Sequence, residues 1–187
     1  MALLVTSLRL VVATLLICVV GYTVAILGVA RFFPDTAQGS LITAADGKAI
    51  GSRLIAQNFT EPGYFWPRPS AAGKEGYDAT AAAGSNKSPT SADLSERARQ
   101  LVARYGATAA KPLPAELAAA SGGGLDPHIS VQAALYQAER VAGARGLPLS
   151  QVEAVIDRHA FAPGDVLTPD RLVDVLEINL ALDRLSR

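Results

Sequence analysis

His128 and His159 lie 31 residues apart, and neither has a second His, a Cys or a tight carboxylate cluster beside it. A metal centre of the zinc type gathers several such ligands at short spacings, so the pattern argues against one. His128 sits in Leu125-Asp126-Pro127-His128-Ile129-Ser130, where Asp126 and Ser130 are natural capping residues ahead of a helix, and this context gives it a structural role. Serines occur without the Gly-x-Ser-x-Gly elbow, and the one cysteine, Cys18, is inside an apolar stretch, so nucleophilic catalysis has no support. Two glycine-rich segments, Gly84-Ser85-Asn86 and Ser121-Gly122-Gly123-Gly124, offer backbone amides that could approach a phosphate. Both lack the Gly-x-x-x-x-Gly-Lys-Ser/Thr pattern and the strand-loop-helix setting that gives such loops their function. These residues point away from a chain with catalytic groups of its own.

The element that must position everything else is Leu10 to Ala30, 21 uncharged residues bracketed by Arg9 and Arg31. As a helix it reaches roughly 31 Å, close to the ~30 Å hydrocarbon thickness of a bilayer, and predicts one membrane crossing. Gly28-Val29-Ala30 is a small-x-small triplet of the kind that precedes signal cleavage, but a signal core runs about 7 to 15 residues and this stretch is longer, which favours an uncleaved anchor. Within it Thr14, Cys18, Gly21, Ala25 and Gly28 follow intervals of 4, 3, 4 and 3, a stripe of small side chains on which a neighbouring helix could pack closely. Small residues are also common in spans without any such role. All 17 acidic residues but 15 of the 17 basic ones follow Arg31, so the remainder carries a formal charge of −2 with no basic tract, which argues against nucleic acid as a partner. The amino terminus and Arg9 weigh against Arg31 toward a cytoplasmic N-terminus, with the soluble part outside the cytoplasm.

The expected organisation is a short segment at 1–9, a membrane helix at 10–30, a neck at 31–39 and one soluble domain at 40–187. Ser40 to Thr43 and Ala49-Ile50 around Asp46-Gly47 read as a small hairpin. The run Tyr64-Phe65-Trp66-Pro67-Arg68-Pro69-Ser70 must be an ordered, non-helical loop or edge, and residues 71–91 predict no regular structure. Four helices follow. The first has Asp93 as N-cap, apolar Leu94, Leu101, Val102 and Tyr105, and Gly106 as its stop. The second starts near Ser130, buries Val131, Ala134, Leu135, Ala138, Val141 and Ala142, and ends at Gly146. The third uses a capping box from Ser150 to Glu153 and buries Val152, Val155 and Ile156. The fourth begins at Thr168-Pro169 and carries Leu172, Val175, Leu176, Ile178, Asn179, Leu180 and Leu182. The fold class is α+β, dominated by helix.

The N-terminal span, Gly51-Ser52-Arg53-Leu54-Ile55-Ala56-Gln57-Asn58-Phe59, the Tyr64 to Ala71 run, Gly84-Ser85-Asn86 and Ser121 to Ser130, taken in order, resemble the C subunit of the Kdp-type potassium-transporting ATPase. Tyr136-Gln137, Arg140-Val141-Ala142, Ala144-Arg145-Gly146 and Asn179-Leu180-Ala181-Leu182 extend the likeness over essentially the whole chain. The resemblance implies a single-span accessory subunit in a bacterial inner membrane. Its partners would be a channel-like A subunit, which carries potassium, and a P-type B subunit, which hydrolyses ATP; the C subunit is described as a catalytic chaperone that raises ATP affinity. It further implies nucleotide contact at Gly84, Ser85, Asn86 and Gln137. Here the chain departs from the family's usual Ser-Gly-Gly-Ser-Asn-Leu-Gly-Pro, having Ala82-Ala83-Gly84-Ser85-Asn86-Lys87-Ser88-Pro89. No cofactor is expected on the chain itself, with ATP entering at the level of the complex and potassium as the transported ion. The alternative is a membrane-tethered extracytoplasmic ligand-binding or sensing module, with Tyr64 to Trp66 as its recognition surface; against it stands the simpler expectation that those aromatics pack on their own core.

Overall fold

The computed structural model describes residues 1–44, 46–164 and 170–185. They divide into two compact units, residues 1–41 and 42–187. In the first, one continuous helix runs from Ala2 to Ala30, long and apolar enough to cross a membrane, with none of its apolar window buried. It comprises α1 (Ala2–Leu15), a wider π-type stretch (Leu16–Gly21) and α2 (Tyr22–Ala30). The helix starts eight residues before the apolar stretch, so Arg9 lies within it. A one-turn α3 (Pro34–Ala37) follows, with proline at its start, where the missing N–H costs nothing.

The expected hairpin follows, β1 (Leu41–Thr43) and β2 (Ala49–Ser52) in a two-stranded sheet, and the remaining elements belong to the second unit. The helices are α4 (Ala92–Tyr105), α5 (Ala115–Ala118), α6 (Val131–Arg145), α7 (Leu149–His159) and α8 (Val175–Leu185). A second antiparallel pair, β3 (His128–Ser130) and β4 (Leu172–Asp174), sets His128 opposite Asp174, Ile129 opposite Val173 and Ser130 opposite Leu172. At three residues each, these strands are too short for alternation to reveal them.

Several expected boundaries are corrected. The N-cap of α4 is Ser91, in an extended conformation, while the Asp93 carboxylate pairs with Lys87. Gly106 ends the helix as expected, at φ +62, with Ala107 N–H reaching back to the Val102 carbonyl. Pro148 precedes α7, so Ser150 and Glu153 both lie inside it and form no capping box. The Thr168-Pro169 start lies outside the described residues; Leu172, expected on that helix, is in β4, and α8 begins at Val175 with the Asp174 carboxylate accepting the Glu177 N–H at 2.9 Å. Ser130 does cap α6, its hydroxyl accepting from Ala133 N–H at 3.0 Å.

The core gathers Phe65, Leu117, Ile129 and Val173 around the inner faces of α6, α7 and α8. Alanines 133, 134 and 138 keep the α6 backbone close to its neighbours, and α7 supplies Val152, Val155 and Ile156. Leu135, expected inside, is exposed because it lies about 100° around the helix from Ala134. Val102 of α4 is likewise exposed.

Candidate functional site

Two buried amides grip the aromatic run. Asn179 of α8 accepts the Phe65 N–H at 2.8 Å through Oδ1 and donates through Nδ2 to the Phe65 carbonyl at 3.0 Å. Gln137 of α6 treats Trp66 the same way, accepting its N–H at 2.8 Å and donating to its carbonyl at 3.1 Å. Each amide thus stands in for a neighbouring strand and satisfies backbone groups cut off from water. Phe65 and Trp66 are buried, as the simpler expectation for this run has it, and this stands against the alternative of an outward recognition surface.

Arginines complete the clamp. The Arg104 and Arg140 guanidiniums lie over the Trp66 ring at 4.0 and 3.7 Å from its centroid. Arg140 donates to the Tyr64 and Pro62 carbonyls and, at 2.7 Å, to Gln137 Oε1. Burial pulls its pKa down to about 10. Arg145 donates to the Gly63 carbonyl and pairs with Asp183 at 2.8 Å. The edge of Tyr105 meets Trp66 at 5.2 Å, and burial pushes the Tyr105 hydroxyl up to about 12.

The two glycine-rich segments meet each other. A Cβ on Gly84 would stand 2.7 Å from the Gly122 carbonyl oxygen, and one on Gly124, at φ +72, would stand 2.8 Å from both Ala72 N and Ala83 O. Ser70 is the hub beneath them: its hydroxyl donates to the Gly124 carbonyl and accepts from the Ala72 and Tyr77 N–H groups. Tyr77, in the left-handed region at φ +59, is anchored through its hydroxyl to the Arg68 carbonyl at 2.8 Å. The first part of residues 71–91 is therefore a built loop without regular elements.

Beside these loops opens a pocket of about 580 Å³ whose lining includes Gly84, Ser85, Lys74, Glu75, Lys87 and Arg97. Lys87 is paired with Asp93. The Nε of Arg97 is closed off from solvent and, among the described residues, has no hydrogen-bond partner. Gly84 and Ser85 thus face this pocket, and Asn86 adjoins it in a left-handed conformation at φ +46. Gln137 is not in its lining, and both ends of its amide are engaged with Trp66. Lys74, Arg97 and the clamping roles of Arg140 and Asn179 do not show in the sequence; an amide on the otherwise apolar face of α8 is the one visible signal.

His128 is held as its context suggested. Asp126 Oδ1 accepts the His128 N–H at 3.0 Å and lies 3.2 Å from Nδ1, while Asp126 Oδ2 pairs with Arg68 at 3.3 Å. The hydrogen bond with Asp126 raises the His128 pKa, and the same bond lowers that of Asp126. Asp174 is shifted upward by burial. Phe161 meets the imidazole edge-on at 5.3 Å. Among the described residues there is no group of three or more His, Cys, Asp or Glu placed to hold a metal.

On the membrane helix, the Thr14 hydroxyl donates to the Leu10 carbonyl at 2.8 Å, so its proton is used within its own helix. Cys18 and Gly21 fall in the π-type stretch, where Tyr22 N–H reaches five residues back to the Ile17 carbonyl. Thr14 and Cys18 line a shallow apolar groove of about 290 Å³ with Leu10, Val11, Leu15 and Val19. Gly28 has nothing near the position of a Cβ. Ala25 is exposed on α2.

Comparison with known proteins covers both units. The family described as "K+-transporting ATPase, c chain" matches residues 4–184. The potassium-transporting ATPase KdpC subunit of Parvibaculum lavamentivorans is 67% identical over 97% of this chain and 96% of its own length. Those of Myxococcus xanthus and Trichlorobacter lovleyi are 45% and 43% identical, over 96% and 92% of this chain and 86% and 92% of their own lengths. With both the membrane helix and the clamped domain inside these matches, the chain belongs to the KdpC family of potassium-transporting ATPase subunits.

Proposed function

We propose that this chain is a non-catalytic, single-span accessory subunit of an ATP-driven potassium-uptake complex in a bacterial inner membrane. Its N-terminus is cytoplasmic and its soluble domain extracytoplasmic. Its partners are a channel-like subunit that passes potassium and a P-type subunit that hydrolyses ATP, and it raises the ATP affinity of the latter by stabilising the assembly. The observation that carries this reading is the helix from Ala2 to Ala30, apolar throughout its span window and buried nowhere in it, whose surface needs lipid or a neighbouring helix to cover it. The stripe Thr14, Cys18, Gly21, Ala25 and Gly28 is the proposed packing face.

Action through assembly is also supported by what the expected nucleotide residues are doing. Gly84 is packed against Gly122, and the Gln137 amide is spent on the Trp66 backbone. In this reading Gly84, Ser85, Asn86 and Gln137 bear on nucleotide affinity through the shape of the domain.

Purifying the tagged full chain from its native membrane under potassium limitation, in mild detergent, tests the proposal. Recovery of a P-type ATPase and a channel-like subunit is the expected result. Recovery of the chain alone, with the complex expressed and intact in that detergent, would leave the tethered-module reading in its place. Gly21→Leu should reduce co-purification, and a cysteine introduced into the soluble domain should react with an impermeant reagent in intact cells.

A further inference from the structure

The pocket between residues 70–76 and 84–87 holds an arginine with an unmet requirement. Guanidinium N–H groups are donors only, and one closed off from water without an acceptor is costly. Among the described residues Arg97 Nε and Arg68 Nε are in that state, and of the two it is Arg97 that lines the same pocket as Lys74 and Lys87. The walls are fixed in advance: Ser70 ties Gly124, Ala72 and Tyr77 together, and Gly84 is set against Gly122. A site built before its occupant arrives loses little entropy on binding.

The charge count says which anion suits it. Lys74, Lys87 and Arg97 are positive, while Glu75 in the lining and Asp93 on Lys87 cancel two of these charges, so one net positive charge is left. A polyphosphate brings several negative charges and would meet Glu75 as well. A single carboxylate matches the surplus, and its two oxygens fit the guanidinium fork.

We propose that this pocket is a docking site for an acidic loop of a partner subunit, with Arg97 and Lys74 receiving one Asp or Glu side chain. The inference rests on the reading of the chain as part of a membrane complex. It assigns an electrostatic contact in the soluble domain, separate from the packing face of the span. Such a contact sets partner orientation and weakens with salt.

The test compares detergent-purified complexes of tagged wild type, Arg97→Gln, Arg97→Glu and Lys74→Glu. A carbodiimide, which couples a lysine amine to a carboxylate, is applied to the wild type and the products are mapped by mass spectrometry. Expected are partner recovery reduced about tenfold in Arg97→Glu and less in Arg97→Gln, wild-type recovery that falls with salt, and a cross-link from Lys74 to an Asp or Glu of a partner. Unchanged recovery in both charge reversals, with thermal unfolding as in wild type and no Lys74 cross-link, overturns the inference and leaves the assembly reading standing. Intact partner recovery with lost binding of inorganic phosphate or ATP in Arg97→Glu also overturns it, in favour of a phosphate occupant. If the wild type itself brings no partner, the assembly reading fails and this inference with it.

Discussion

Arg140 on α6 and Arg97 on α4 carry the same side chain in opposite circumstances. Arg140 lies over Trp66, donates to two backbone carbonyls and braces Gln137. Arg97 has a nitrogen shut away from solvent with, among the described residues, no acceptor for it. Around Trp66 the Gln137 amide and the Arg140 guanidinium both have acceptors inside the domain. The loop pocket is built with similar care at Ser70 and the glycines, yet among the described residues the Arg97 Nε in its wall has no acceptor. A satisfied cation is a structural part, whereas the proposed docking site puts Arg97 beside a preformed pocket.

The comparison breaks first at the amides. Gln137→Leu strands the Trp66 N–H and carbonyl in a buried position, and Asn179→Leu does the same to Phe65. At about 1–3 kcal/mol for each stranded group, either change should destabilise the domain by about 2–5 kcal/mol. Urea unfolding of the full chain in mild detergent measures it. Because the two residues hold adjacent backbone units, the double variant should fall short of the sum. A loss below about 1 kcal/mol for both would mean that the run is held by packing alone.

The loops come next. Gly124→Ala meets both a left-handed φ and backbone atoms 2.8 Å away, so it should cost about 2–3 kcal/mol. Gly123→Ala, one residue earlier with open space at the Cβ position, should stay within about 0.5 kcal/mol. Equal effects would deny that the glycine segments are packed as a unit.

Much of this was legible from residue types, and the limits have physical causes. The membrane helix, the hairpin, the start of α6 and the C-terminal ends of α4 and α6 follow from signals that act within a few residues: apolar length, a turn pair, a capping serine, a glycine at positive φ. The β3–β4 pair joins residues 128–130 to 172–174, and neither strand is long enough to show its own period. The site was harder still. Gln137 came forward only through family likeness, as a nucleotide contact, and its grip on Trp66 spans 71 residues of sequence. A long-range bond of that kind leaves no local pattern.

The two arginines themselves sharpen the contrast. Arg140→Gln removes bonds to carbonyls and the cover over Trp66, and should cost about 2 kcal/mol in the same urea experiment. Arg97→Gln removes an Nε that has no hydrogen-bond partner among the described residues and should change stability by less than about 0.5 kcal/mol. If Arg97→Gln destabilised the chain as much as Arg140→Gln, the distinction between filled and waiting cations would be wrong.

The smallest effect lies at Asp126, a third charged site whose partners are all internal. His128 has a raised pKa, chiefly through its hydrogen bond to Asp126, so this contribution to stability is fully present below the ordinary imidazole value of about 6.5 and is lost as pH rises through the folded value. Asp126 is shifted down, so its share is present above about 3.9 and is lost as pH falls through its own folded value. The advantage of wild type over Asp126→Asn should therefore be greatest between about pH 4.5 and 6.5 and should shrink above it. Both groups are about half buried, so solvent screening keeps the effect below about 1 kcal/mol. The imidazole resonances give a direct reading, since the chain has two histidines to follow. In Asp126→Asn the His128 titration should move down in pH. A His128 midpoint that does not move would transfer its upward shift to Asp174 and Glu177, the other carboxylates that raise it.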